Sequence, residues 1–424
     1  MKHSFTSSGK LISLLMIIGL TAYGLNYQIT KTLLHASAVI ALFTWLRIAL
    51  LVTKQRKCSI ANACIKDPRI ILSTLLLVAA TIVLFETSMS DTSMSGRFRK
   101  DFLLPAVCFA LIAPVAIVDT QIFKIFRWAL PTATLTMAIP GVIDYFTNQS
   151  PGYRTSGNIS LQIIYGTNLA ILSLCTIVLM MTTKLQKHPV LITTCLVASI
   201  VGIWAIVLSG SRGPLLSVII ISFTTIALIG LKRFGLIKTA LFIILLSITT
   251  SLIVIQSPTL IRLSNGIKNI SSDVTNSSMG LRLEMWRGAI KIIDEHPLSG
   301  VGVGKHNEFF KEKNKETENY IHPGATDFIH LHNDFLNAIS WMGIPLGLLF
   351  MAFAVYPLYW ALRNRYTVAA KAMLGVSAIY LLNGLTNTPS IRATSLTLML
   401  SVIFLLLQFA IYQRESSAQS SNSR

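Results

Sequence analysis

Charged residues are scarce in this sequence. Lys, Arg, Asp and Glu make up 12% of its 424 residues, whereas soluble domains average about 25%. Hydrophobic residues account for 53%, with a mean hydropathy of +0.64. Because apolar runs of about 20 residues recur along the chain, the composition indicates an integral membrane protein. We expect contact with membrane lipids and no nucleic-acid partner.

Paired cysteines are also missing. The five cysteines are Cys58, Cys64, Cys108, Cys175 and Cys195. None forms a C-x-x-C pair, so the pattern predicts neither a zinc knuckle nor a disulfide framework. No A-x-A cleavage site follows the first apolar run, which Lys2 and Lys10 precede. We interpret that run as an uncleaved first helix.

The apolar runs predict an all-α polytopic membrane protein with about twelve transmembrane helices. The predicted spans are 11–27, 33–53, 70–87, 102–119, 127–146, 160–182, 189–208, 214–231, 236–256, 335–362, 368–386 and 391–412. With the N-terminus in the cytoplasm, the short inside connections hold 19 Lys and Arg and the short outside connections hold 7. Cytoplasmic loops carry such an excess, so we place both termini in the cytoplasm.

One connection, 257–333, is long and balanced in charge, with nine basic and nine acidic residues. It divides the chain into helices one to nine (1–256), a periplasmic loop domain (257–333), helices ten to twelve (334–413) and a cytoplasmic tail (414–424). The loop domain is predicted to be mostly helical. Its stretch RLEMWRGAIKIIDEHP has helical spacing, which places Leu283, Trp286, Ile290 and Ile293 on one face. Pro297 closes that helix.

Several polar groups fall on the predicted outer face. Arg212, in SGSRGP, lies near the hydrocarbon boundary, where a charge is costly unless it is paired or wet. It is either an anchor that reaches the headgroups or a buried, aimed arginine, which the flanking glycines favour. Arg282 and Arg287, in GLRLEMWRG, could each bind phosphate oxygens. A solvated surface charge is the better interpretation for Arg287.

The stretch FIHLHNDFLN, residues 328–337, precedes the tenth span. His330 and His332 could bind a metal together with Asp327 or Asp334. On a helix, however, an i, i+2 spacing directs two rings apart. A neutral histidine is a good general base near pH 7, and a polar helix end is the third interpretation.

Two further groups lie on the same side. Gly300-Val-Gly-Val-Gly304 lacks the full dinucleotide-loop spacing, so we interpret it as a tight turn that permits close packing. Arg392, in NTPSIR, either adds positive charge to the same site or anchors the last helix. Arginines without clustered carboxylates suggest a phosphate or diphosphate lipid. A histidine base suggests removal of a hydroxyl proton, as in glycosyl transfer from a lipid diphosphate.

The order of these motifs resembles the O-antigen ligase and polymerase superfamily. They are S-R-G after span seven, G-x-R-x-x-x-W at 280–286, P-L-S-G-x-G-x-G at 297–304 and H-x-H-N at 330–333, followed by G-x-P-x-G. The resemblance implies a membrane glycosyltransferase of the GT-C class that needs no metal and no cofactor. For a ligase it implies transfer of undecaprenyl-diphosphate-linked O-antigen to lipid A–core in the bacterial inner membrane, on the periplasmic face.

The resemblance also implies residue roles. Arg212 and Arg282 would bind the diphosphate, and His332 would be the general base. The substrate-binding set would add Arg287, His330, Asn333 and Arg392. Some relatives carry an acidic residue where this chain has Asn387, which leaves open what orients the histidine from that side.

Rival functions remain open at this point. A polymerase of the same superfamily, or an enzyme that transfers glycans to protein, would share the motifs. A transporter for the lipid-linked sugar would carry charges at mid-membrane and internal repeats. These spans are almost free of charge and show no repeat.

Overall fold

The computed structural model describes residues 2–55, 67–148, 150, 153–159, 161–183, 187–255, 278–317 and 320–422. The described residues are helical, without strands. The first helices are α1 (Lys2–Ala22), α2 (Tyr27–Gln55), α3 (Pro68–Ser88), α4 (Ser93–Ile112), α5 (Thr120–Thr147), α6 (Gln162–Thr182), α7 (Pro189–Leu208) and α8 (Arg212–Ile255). They are followed by α9 (Ser278–Glu295), α10 (His306–Glu316), α11 (Asp334–Arg363), α12 (Val368–Gly384) and α13 (Ala393–Asn422), with 3₁₀ turns at Pro323–Ala325 and Pro389–Ile391.

Seven helices of the described residues are long and apolar enough to cross a membrane, and two shorter apolar helices accompany them. The chain is therefore a multi-pass membrane protein of helices. Every predicted span has a helical counterpart; spans eight and nine share α8, which loses helical geometry at Gly235. The number of segments that cross the membrane, and the GT-C architecture, stay predictions. The predicted domain boundary between residues 256 and 257 lies outside the described ranges.

The fourth span was predicted at 102–119, and the structure corrects its position. Helix α4 begins at Ser93, where the Thr92 side chain accepts a hydrogen bond from the Ser95 N–H, and it ends at Ile112. Pro114 follows its last turn and cannot continue a helix. The charged stretch RFRKD, residues 97–101, therefore lies on the first turns of α4 and not in a loop.

The connections gather at two ends of the bundle. One end, which we call the loop end, holds residues 23–26, 89–92, 153–159, 209–211, 385–392 and the described part of 296–333. Hydrogen bonds join these connections: Asn158 to Gly24, Ser90 to Val303, Arg154 to Ser209 and Asn333 to Leu385. The opposite end holds residues 113–119, 183, 187–188 and 364–367. The polar groups predicted to share one side do share the loop end.

The segment from 278 to 333 forms a small second core at the loop end. Helix α9 confirms the predicted helix, but the predicted apolar face is wrong, since Leu283 is 45% exposed and Ile290 is 54% exposed. Met285, Ala289 and Ile292 are buried instead, in a cluster with Phe310 and Ile321. The missing side chain of Gly288 selects this face, because a Cβ atom there would overlap both Phe310 and Ile321.

Helix α11 is broken at Gly343, and the glycine-rich turn 300–304 docks there. Gly343 has a φ of 76°, and a Cβ atom on it would overlap the Leu298 carbonyl. Backbone N–H groups of Val301 and Gly302 donate to the carbonyls of Ser340 and Trp341 at 3.0 and 2.9 Å, and that of Ile344 donates to Pro297 at 2.8 Å. The turn is thus a packing device, as predicted, and it joins the small domain to α11.

We expect Gly343→Ala to destabilise the protein. The φ of 76° and ψ of 167° at Gly343 lie in a region that is essentially restricted to glycine and costs another residue about 1–3 kcal/mol. The added methyl group would also displace the 298–299 backbone. The midpoint of thermal unfolding in detergent measures the effect.

Gly96→Ala is the matched control, because Gly96 lies in α4 with open space around it. An alanine in a helix is favoured over glycine by about 1 kcal/mol, so this variant is expected to unfold at the wild-type temperature or above. Equal midpoints for the two variants would contradict the importance of the break in α11.

Candidate active site

The segment from Phe328 to Asn333 lies at the loop end, directly ahead of α11. Asn333 is the N-cap of that helix: its Oδ1 accepts hydrogen bonds from the N–H groups of Phe335 and Leu336. Its Nδ2 donates to the Leu385 carbonyl at 3.1 Å. Asn333 therefore fixes the start of α11 and ties it to the connection before α13. Its predicted contact with substrate stays a prediction.

Side chains from α9 and α11 hold the peptide groups on either side of Leu331. Trp286 Nε1 donates to the Leu331 carbonyl at 3.0 Å. Asn337 Oδ1 accepts the Leu331 N–H at 2.9 Å. Leu331 is itself buried, so both its backbone and its side chain are fixed.

His306, on α10, holds the start of the same segment. Trp341 Nε1 donates to His306 Nδ1 at 3.0 Å. Nδ1 is therefore the acceptor nitrogen, and Nε2 carries the proton and donates to the Phe328 carbonyl at 3.0 Å. Burial lowers the pKa of His306 to about 4, so the ring is neutral near pH 7 and keeps this tautomer.

His332 has a left-handed backbone. Its φ is 51°, and no other non-glycine among the described residues has a positive φ. Such a conformation costs about 1–3 kcal/mol and persists only where the surroundings determine it. The bonds at Leu331 and Asn333 fix the residues on both sides of it. The strain marks His332 as a functional candidate, since strained backbone clusters at active sites.

The rings of His330 and His332 meet edge to face, with centroids 4.4 Å apart and planes at 80°. The expectation that their spacing would direct them apart is wrong, because it assumed a helix and these residues form an irregular turn. The left-handed backbone at His332 brings the second ring back beside the first. The Nδ1 atoms of both rings are buried, and neither has a hydrogen-bond partner among the described residues.

Carboxylates do not join the two histidines. Asp327 is an exposed partner of Lys311 at 2.9 Å. Asp334 is buried, and its Oδ2 accepts the Ser390 N–H at 3.0 Å. Within the described ranges no three side chains of His, Cys, Asp or Glu are grouped to hold a metal ion. The acids proposed for a metal site thus have other partners.

Two arginines, Arg282 and Arg392, act on the charge of the histidines, and a third, Arg212, acts on Arg282. Arg282 is half-buried, and its pKa is lowered by burial and then by the positive charge of Arg212. Arg212 is the first residue of α8, after a turn at Gly210 with a φ of 62°. The start of a helix carries partial positive charge and free N–H donors. A second guanidinium and a helix N-terminus therefore accompany Arg282.

Arg392 contacts the histidine pair at His330. Its Nη2 lies 3.4 Å from His330 Nε2. The bond from the Ser390 N–H to Asp334 positions the turn that carries Arg392. This answers the question left open at Asn387: the group that meets the histidines from the last connection is a guanidinium.

Neither Arg282 nor Arg392 forms an ion pair with a carboxylate of the described residues. The charges of Arg212 and Arg282 repel each other, and an anion placed between them would relieve the repulsion. Arg287 is not part of this cluster, because its Nη1 lies 3.4 Å from Glu284 on the exposed side of α9. The surface interpretation of Arg287 is the one that fits this geometry.

The electrostatics keep both histidines neutral. Burial lowers the pKa of His332 to about 4, with further lowering by the charges of Arg282 and Arg392. Burial, His332 and Arg392 lower the pKa of His330 to about 3. Both rings therefore have an unprotonated nitrogen near pH 7, which is the form that accepts a proton.

Three residues of this region were missed by the sequence analysis. His306 and Trp341 form the bonded pair described above, and Arg154 donates from Nε to the Ser209 carbonyl at 2.8 Å, which fixes the turn before Arg212. The sequence signal that could have identified His306 is its position two residues after the glycine-rich turn 300–304. Nothing in the local sequence linked Arg154 to a turn 55 positions away.

Comparisons with known proteins agree with the motif order. Residues 197–351 match the family model described as O-antigen ligase, which confirms the predicted resemblance over that range. The chain is also similar to an uncharacterized protein of Haemophilus influenzae, with 26% identity over 255 residues. That alignment covers 58% of this chain and 61% of the relative, so the chain spans less than two thirds of the relative's length.

The left-handed backbone at His332 leads to a stability prediction. Glycine adopts a positive φ without penalty, whereas alanine pays about 1–2 kcal/mol. We therefore expect His332→Gly to unfold at a higher temperature than His332→Ala, although glycine loses more entropy on folding. Thermal unfolding of the two variants in detergent measures the difference.

His330 supplies the matched pair, because its φ is not positive. At that position the order should reverse, with His330→Ala more stable than His330→Gly by about 0.5–1 kcal/mol. The same order at both positions would show that His332 is not strained in the folded protein.

Proposed function

We propose that this chain, which matches the O-antigen ligase family model over residues 197–351, is a metal-independent O-antigen ligase. It would transfer a glycan from undecaprenyl diphosphate to a sugar hydroxyl of lipid A–core. The observation that carries the proposal is the neutral, strained His332. Its buried Nδ1 has no hydrogen-bond partner among the described residues, and burial together with the charges of Arg282 and Arg392 lowers its pKa.

Arg212 and Arg282 would bind the diphosphate of the donor. Guanidinium groups present paired N–H donors that match phosphate oxygens. Negative charge grows on the leaving diphosphate as the glycosidic C–O bond breaks, and fixed cations at that position stabilise the transition state. The N-terminus of α8, which Arg212 begins, adds partial positive charge.

His332 would act as the general base toward the acceptor. The acceptor oxygen attacks the anomeric carbon of the donor sugar, the bond from that carbon to the diphosphate oxygen breaks, and the hydroxyl proton moves to the His332 ring. The protonated ring then releases its proton to solvent or to the leaving diphosphate. His330 and Arg392, which touch each other, would support this geometry from the side of the last connection.

The orientation proposed from the basic residues places the loop end on the periplasmic face of the inner membrane. There the undecaprenyl chain would lie in the bilayer while its diphosphate reaches the arginines. The second core, built on α9 and α10, would cover the site from the aqueous side. Both termini would then be cytoplasmic, and the domain of 257–333 would be periplasmic.

A gene deletion tests the ligase function directly. Without the chain, we expect lipopolysaccharide that is core only, while lipid-linked O-antigen polymer accumulates; a gel resolves the two. Core bearing a single repeat unit would indicate a polymerase instead. Complementation with the wild-type gene restores the ladder if the phenotype belongs to this chain.

The same strain tests the residues. We expect His332→Asn to abolish the ladder and to lower transfer by purified enzyme by about 10²–10⁴-fold, the range for a lost general base. Asparagine tolerates a left-handed backbone, so the fold is retained. Arg212→Lys and Arg282→Lys keep the positive charge but lose the paired N–H donors of the guanidinium group. We therefore expect both variants to reduce transfer.

Arg287→Gln is the matched control, since Arg287 lies on the same helix as Arg282 but pairs with Glu284. It should transfer at close to the wild-type rate. Full transfer by His332→Asn would refute the base assignment. Each assay is run with and without EDTA. Loss of wild-type transfer in the presence of EDTA would favour a metal.

The pH profile gives a further prediction. The base must be unprotonated, so transfer falls as pH drops through the pKa of His332. Burial and the neighbouring arginines lower that pKa to about 4, and we expect kcat/KM to stay level down to about pH 5. A bound diphosphate offsets the arginine charges, so the acidic limb of kcat should lie at higher pH than that of kcat/KM. If the acidic limbs of kcat and of kcat/KM both lay near pH 6.5, the result would contradict a buried His332 as the base.

A further inference from the structure

A cavity lies at the opposite end of the bundle, far from His330 and His332. It has a volume of about 300 Å³ and lies between α5, α6, α12 and α13. Its apolar wall includes Phe126, Leu130, Val178 and Phe409, and the rings of Phe126 and Phe409 stack with centroids 4.6 Å apart. About 300 Å³ is the lower end of the range for ligand pockets, which suits one acyl chain.

Cations line the mouth of this cavity. Arg127, Lys187 and His188 contribute to its lining, and none of the described residues that line it is acidic. Arg127 donates from Nη2 to Thr183 Oγ1 at 3.1 Å, and its guanidinium lies 6.0 Å from the Phe123 ring. A guanidinium carries five N–H donors, and no carboxylate of the described residues forms an ion pair with this one. A half-buried arginine on a membrane helix is costly unless its charge is paired with an anion.

We propose that this cavity binds an anionic phospholipid. One acyl chain would fill the apolar part, and the phosphate would lie against Arg127 and Lys187. The membrane supplies such lipids in contact with the helices that form the cavity. Basic pockets between transmembrane helices bind anionic headgroups by the same combination of charge and apolar depth. The site is independent of the glycan chemistry at the loop end.

Native mass spectrometry of the delipidated full chain in detergent tests the proposal. The probes are phosphatidylglycerol and phosphatidylcholine with identical acyl chains. We expect phosphatidylglycerol to bind more tightly, and Arg127→Gln to weaken its binding about fivefold, the effect of one basic residue near an anionic lipid surface. Binding of phosphatidylcholine should change by less than twofold.

Lys124→Gln is the matched control, because Lys124 lies on the same helix, is exposed and does not line the cavity. Ala372→Leu narrows the cavity and should weaken the binding of both lipids. If Arg127→Gln does not fold, Lys187→Gln makes the same comparison from the exposed rim. Equal affinity for the two lipids, or equal loss in the Lys124 variant, would overturn the proposal.

Discussion

Three hydrogen bonds to the backbone between Phe328 and Leu331 fix the geometry on which the candidate active site depends. Their side chains come from Trp286, His306 and Asn337, on three different helices. Each buried bond of this kind contributes about 0.5–1.5 kcal/mol. Together they can offset the strain of one left-handed residue, and that residue is His332. The packing of the small domain and the conformation of the proposed base are therefore one structural problem.

The electrostatics follow from the same arrangement. Arg212, Arg282 and Arg392 come from three separate parts of the chain: Arg282 and Arg392 act on the two neutral histidines, and Arg212 acts on Arg282. Their mutual repulsion is retained in the folded state because the surrounding packing holds them in place. A site of this kind is preorganised for an anion, since the cations need no rearrangement when it arrives. Burial and, after it, the charges of Arg282 and Arg392 lower the pKa of His332 and keep the ring unprotonated, so anion binding and base strength are linked.

The sequence was sufficient for the membrane class, for nearly all helices and for the common side of the polar motifs. Apolar runs of sufficient length become helices because the bilayer interior leaves backbone groups no other partner. Local signals misplaced α4, because the charged stretch 97–101 looked like a loop although Thr92 caps the helix before it. They also misassigned the apolar face of α9, since only the packed structure shows that Phe310 fills the space at Gly288.

The site was predictable in part for a similar reason. The motif order predicted that Arg212, Arg282 and His332 share one site; in the structure Arg282 acts on His332 and Arg212 acts on Arg282, while their roles stay predictions. The contact between the two histidine rings was not predictable, because it depends on a backbone angle at His332 that its own side chain disfavours. His306 was equally hidden, since its two partners, Trp341 and Phe328, lie 35 and 22 positions away.

The last connection has a consequence for how the protein is made. Asn333 bonds to Leu385, Asp334 to Ser390 and His330 to Arg392, so the segment that carries the histidines is completed by residues made after α12. A growing chain enters the membrane from its N-terminus, and during most of that time it has Arg212 and Arg282 without the rest of the candidate site. The candidate site is therefore completed late in biogenesis, when the final helix has inserted. Under the proposed function, an incompletely inserted chain would be unable to consume lipid-linked glycan.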